Sequence, residues 1–162
     1  MNTIFFSQLY DYHFAENRKT WNWYINDLPQ HQFTQKSDYS HGSVRNHFVH
    51  LMNVEDSWFS GLRGVEIPNF ANPIHYDDRN KLRSAWDLVE ENIRIYLSEI
   101  RDDMLFDKPL DGEDKDLMVW QVLLQVVNHG TDHRAQILRL LHDMGVKTGP
   151  QDYIFYAYEH LA

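Results

Sequence analysis

The chain contains no cysteine. That excludes disulfide staples, thiolate zinc sites and a cysteine nucleophile, so any thiol chemistry needs a thiol brought by a substrate. It also lacks net positive charge: 15 Lys and Arg stand against 24 Asp and Glu, a formal balance of −9. Such a balance argues against a surface built to hold a phosphate backbone, and nucleic acid is not an expected partner. Nowhere do about 18 apolar residues run together, so no membrane span is expected. The N-terminal "MNTIFFSQLYDYHFAENRKT" has neither a basic n-region nor an apolar run long enough for a signal peptide, and the expected location is cytoplasmic. Glycine and proline number only 7 and 5. They concentrate between candidate helices, which favours an all-α chain over an all-β one.

What the chain has is histidine, ten of them, and an aromatic content of 14%. Its 162 residues are the size of one compact domain, taken here as 1–162. Apolar spacing predicts a first helix from Thr3 to Leu28, stopping before Pro29, with Phe5, Leu9, Tyr12, Glu16 and Trp23 near one face. A second is predicted over Ser43 to Leu62, with Val44, Phe48, Leu51, Glu55, Trp58 and Leu62 as its stripe. Asp77 or Asp78 caps a third, carrying Leu82, Ala85, Val89, Ile93, Tyr96 and Ile100. The fourth and strongest runs from Asp116 to Met144 and is ended by Gly145. Four long amphipathic helices describe a four-helix bundle, with the aromatic tail "GPQDYIFYAYEHLA" as a short helix or arm against it. The segment Asp107 to Met118 has the outline of a calcium loop, but Pro109 and Met118 stand where oxygen ligands are needed.

Chemistry enters with "NHGTDHR" at 128–134. The apolar row Val119, Val122, Val126, His129, His133, Ile137, Leu140 places both histidines on the inward face, one turn apart, so that both imidazoles can point at one atom between helices. A pair of hydrogen-bonded core histidines is the competing reading. Gly130 stands where the "HExxH" glutamate would be, which removes the zincin general base. A glycine in a helix interior costs roughly 1 kcal/mol, so room is needed there for the site or for a neighbouring helix. A catalytic ion usually takes three protein ligands, and "HFVHLMNVEDSW" offers His47 and His50 beside the stripe. Glu55 lies on the stripe itself, where a carboxylate must be paired or protonated. Arg134 is either a surface residue or the anchor of a buried carboxylate.

The combination of "HLMNVEDSWF" with "VWQVLLQVVNHGTDHRAQILRLLHDMG", and a closing "PQDYIFYA", resembles the DinB family of metal-dependent helical bundles (DinB/YfiT-like) over nearly the whole chain. The resemblance maps His50, with Glu55 and Trp58, onto the family's first motif and His129, His133 and Arg134 onto its second. It implies a divalent ion, zinc or nickel, held by His50, His129 and His133, with His47 a neighbouring or surface residue and Glu55 and Arg134 supporting the ligands. It further implies a homodimer linked to the stress response. The activity it suggests is transfer of a low-molecular-weight thiol, or of water, to a small electrophile. The alternative is a non-catalytic stress-associated dimer in which the ion is structural.

Overall fold

The computed structural model describes residues 2–160, and among them the structure is helical with no strands. Helix α1 (Thr3–Thr20) is capped by the Asn2 side chain and continues through a π-helical stretch, Trp21–Ile25. A short α2 (Gln30–Phe33) follows Pro29. Helix α3 (Val44–Leu62) starts at Ser43, whose hydroxyl accepts from the Asn46 amide. Helix α4 (Arg79–Glu99) is capped by Asp78, one of the two predicted caps. Helix α5 (Val119–Asp143) ends at Gly145, whose φ of +83° suits a residue without a Cβ. A last helix, α6 (Tyr153–His160), closes the described chain.

The four long helices pack as a ring: α1 lies against α4 and α5, and α3 against the same two. Helices α1 and α3 therefore face each other across the bundle, and a bond between them crosses its centre. One continuous apolar cluster, including Phe14, Phe48, Ile93, Val122 and Ile137, fills the interior.

Two expectations change. The inward face of α1 is Phe6, Tyr10, His13, Phe14 and Asn17, all buried, whereas Phe5 and Trp23 are 50% and 65% exposed. Tyr12 and Glu16 of the predicted row are buried, so the row fails at Phe5 and Trp23. The π-helical stretch then shifts the phase, so that Trp21 is buried and Trp23 is not. Helix α5 begins at Val119 rather than Asp116, because the Val119 amide is taken by the Asp107 carbonyl. The arm leads into α6, which rests on Tyr12 through edge-on contacts with Tyr153 and Tyr156 at 5.1 and 5.4 Å. Tyr153, Ile154, Phe155 and Tyr158 remain exposed.

Candidate metal centre

Two polar layers interrupt the apolar interior between α3 and α5. The outer one is made of imidazoles. His50 from α3 meets His129 from α5, Nε2 to Nε2, at 3.1 Å. One turn along, the ring of His133 lies 4.3 Å from that of His129 and 4.6 Å from that of His50. The helices thus bring together all three histidines that the sequence motifs single out.

A further histidine joins them. His41, in the loop before α3, stacks on His50 with ring centroids 3.9 Å apart. His41, His50 and His133 each offer a donor atom within 4.8 Å of the others, a group able to hold a metal ion; His129 is not one of these three and meets the group through its 3.1 Å approach to His50. Sequence reasoning passed over His41 because it sits in an irregular loop where no periodicity speaks. His47 is fully buried, so the surface alternative for it falls. Its Nδ1 donates to the Ser43 carbonyl at 2.7 Å, and its Nε2, near the Gln136 side chain, makes no well-formed hydrogen bond among the described residues.

The donor set fits a cation. Two nitrogens each about 2.0–2.1 Å from one zinc at the tetrahedral angle stand about 3.3–3.4 Å apart, and at a right angle about 2.9 Å. The observed 3.1 Å falls between the two. Burial, reinforced by the neighbouring imidazoles, pushes His50 down to about 3, and burial with His129 pushes His133 down to about 4. His129 and His41 are also lowered, chiefly by burial. The rings are therefore neutral at pH 7 and offer lone pairs. His133 Nδ1 is another buried nitrogen with no hydrogen-bond partner among the described residues. Buried polar atoms ordinarily find partners, and this cluster leaves two wanting.

The inner layer is the opposite case. Glu55 is 1% exposed. Its Oε1 accepts from His13 Nε2 at 2.9 Å and Asn17 Nδ2 at 3.3 Å, and its Oε2 from the Trp86 indole at 2.6 Å. Arg134, 0% exposed, donates to His13 Nδ1 at 3.2 Å, Asn17 Oδ1 at 2.7 Å, Thr131 Oγ1 at 3.1 Å and Gln151 Oε1 at 3.0 Å. Because a guanidinium only donates, His13 Nδ1 accepts, and the ring proton sits on Nε2 toward Glu55. Burial keeps His13 neutral, lowering it against the pull of Glu55. Arg134 anchors the carboxylate, but through His13 and Asn17 rather than directly.

Gly130 is where this layer passes α5. A Cβ built there would stand 2.3 Å from His13 Cε1, so the glycine is the room that α1 needs to reach Glu55. Trp58, paired with Glu55 in the sequence motif, instead lines a separate cleft of about 290 Å³ with Leu110 and Asp114. Trp86 makes the indole contact, and its exact role escaped the α4 stripe because it lies one position beyond Ala85.

A cleft of about 390 Å³ opens directly on the imidazoles, lined by His41 and His50 with Asn46, Asn53, Phe70 and Pro73. The Asn53 side chain pins its far wall by exchanging hydrogen bonds with the Ala71 backbone at 2.9 and 3.0 Å.

Fold and cluster together define a class: a helical bundle with an inter-helix histidine group able to hold a metal ion. The chain belongs to the DinB family, whose model matches residues 1–160. A search of curated proteins gave no match. No helix among the described residues is long and apolar enough to cross a membrane.

Proposed function

We propose that the protein is a divalent-metal-dependent enzyme, with His50, His129 and His133 as ligands of a zinc or nickel ion, acting on a small molecule in the cleft beside His41. When bound, such an ion lowers the pKa of a thiol or water enough to make it a nucleophile at neutral pH. The observation that carries this reading is the meeting of three neutral imidazoles from two helices, with His50 and His129 at 3.1 Å.

The chain's own residues supply the rest. Three neutral ligands bring no charge, so the full cationic field acts on whatever is bound. Glu55 and Arg134 do not touch the cluster. They fix α1, α3, α4 and α5 to one another at its base and so hold the spacing of His50 to His129. Asn46 and Asn53 give the cleft polar walls and Phe70 an apolar lip, which suits a small polar molecule with one apolar group, such as a low-molecular-weight thiol or its electrophilic partner. No cysteine competes with a borrowed thiol. A homodimer belongs to the same reading, with the exposed aromatic face of α6 as the surface available for it, as do a cytoplasmic location and a role in the stress response.

The test starts with elemental analysis of protein purified without a histidine tag, beside a His129→Ala, His133→Ala double variant. About one ion per chain in the first and a large loss in the second is expected. Equal metal in both sinks the ligand assignment. Screening low-molecular-weight thiols with an electrophilic reporter, metal-loaded against chelator-treated, then separates enzyme from structural ion. No turnover with any thiol or with water alone leaves the second reading, a non-catalytic protein in which the ion ties α3 to α5, which the approach of His41 to the same donor group favours.

A further inference from the structure

The three helical histidines stand on rigid elements, whereas His41 stands on a loop that is bent specifically to present it. Ser40 adopts a φ of +50°, a left-handed conformation uncommon outside glycine, and Gly42 follows at +90°. Such a local outlier persists only where the surroundings hold it, and here they do. The Ser40 hydroxyl bonds the Gln136 side chain, one turn beyond His133 on α5. Gln136 is itself held by Asp132 at 2.9 Å. The His41 carbonyl accepts from Asn46 Nδ2 at 2.8 Å, and Gly42 is tied at both its amide and its carbonyl, to Tyr39 and Ser37. The loop is thus fastened to α3 on one side and α5 on the other, the same two helices that carry the cluster.

We propose that His41 is a fourth protein ligand of the ion, held by this loop on the cleft side and displaced when a substrate enters. The inference rests on the ligand assignment made above and extends it. Its geometric basis is that His41, His50 and His133 place their donors within 4.8 Å of one another, against the about 3.3 Å between ligands of one tetrahedral zinc. Whatever contraction His41 itself needs falls on a loop side chain, which unlike those on the helices can move without repacking the core. His41 also lines the cleft, so the coordination position it takes is the one through which a small molecule arrives. With an ion bound, the His41 side chain would close the cleft side of the site against water, and its place on a loop would let it give way to an entering substrate donor without breaking a helix.

The test uses cobalt as the probe, because four-coordinate cobalt(II) absorbs visible light far more strongly than its five- or six-coordinate forms. Full-length, tag-free protein is stripped with chelator and titrated with cobalt(II), as wild type and as His41→Ala. The variant is expected to bind about one ion per chain at saturation, with affinity at least about tenfold weaker and an altered spectrum. Added imidazole is expected to restore the wild-type spectrum. An unchanged affinity and spectrum in His41→Ala, with binding still lost in His129→Ala, overturns the role of His41 and leaves the three-histidine site intact. Undiminished binding in the His129→Ala, His133→Ala variant instead overturns the assignment beneath it. Circular dichroism of each variant checks that the bundle is folded.

Discussion

Two polar layers lie one above the other in this bundle, and neighbouring residues of α5 divide between them. His133 belongs to a cluster with buried nitrogens left unpartnered among the described residues, while Arg134, the next residue, has its donors engaged by four other residues. On α3 the same division separates His50 from Glu55, whose two oxygens receive three donors. A saturated buried network is complete without a ligand and acts as structure. An unsaturated one is costly unless something else completes it. The contrast is what marks the imidazole layer as the site and the carboxylate–guanidinium layer as its foundation.

The comparison can be broken from either side. The largest effect is expected from Glu55→Ala, which strips the acceptor from His13, Asn17 and Trp86 and leaves the buried Arg134 with Glu16 as its remaining buried carboxylate. Denaturant unfolding of chelator-treated protein is expected to show a loss of about 3–5 kcal/mol. A loss under 1 kcal/mol would show that the inner layer is not the foundation. Gly130→Ala comes next. Helix propensity favours alanine by about 1 kcal/mol, but the new methyl meets His13, a ring pinned between Glu55 and Arg134. A net destabilisation of about 1–3 kcal/mol is expected in the same assay.

Acid acts on both layers of the metal-free protein. His13 is lowered, and His133 and His50 are held at about 4 and about 3. Below about pH 6.5 the unfolded chain takes up protons on these residues that the folded chain refuses. Thermal stability of chelator-treated protein is therefore expected to fall steadily from about pH 6.5 toward pH 4, measured by melting at each pH. The smallest effect is expected from His129→Ala, also without metal: a change within about 1 kcal/mol, as befits a half-exposed residue outside the saturated network. A large loss there would place the imidazoles among the structural residues.

Much of this was legible in the sequence, for a definite reason. Helical periodicity carries inward faces, so His129 and His133 could be placed by the valines before them and the isoleucine after, and Glu55 recognised as a carboxylate in need of a partner. The bounds of α3 and the cap at Asp78 followed from local chemistry. What periodicity cannot give is contact across the bundle. His13 and Asn17 face Glu55 from the diagonal helix α1, and nothing in the spacing of α1 names that partner. The π-helical stretch at Trp21–Ile25 shifts the phase beyond the end of α1, which is why Trp23, expected inward, is exposed and Trp21 is buried. His41 lies in a loop whose shape depends on a serine in a left-handed conformation, a choice no local pattern announces. Gln151, holding Arg134 from the chain leading into α6, is a contact of the same long-range kind.

The central claim is that the unsaturated imidazole layer is completed by a cation. Calorimetric titration of zinc into chelator-treated, tag-free protein tests it most directly, with the His129→Ala, His133→Ala variant alongside. Binding of one ion per chain by the wild type, weakened at least about 100-fold in the variant, is the result expected. Absence of binding to the wild type, or equal binding by both proteins, would contradict it.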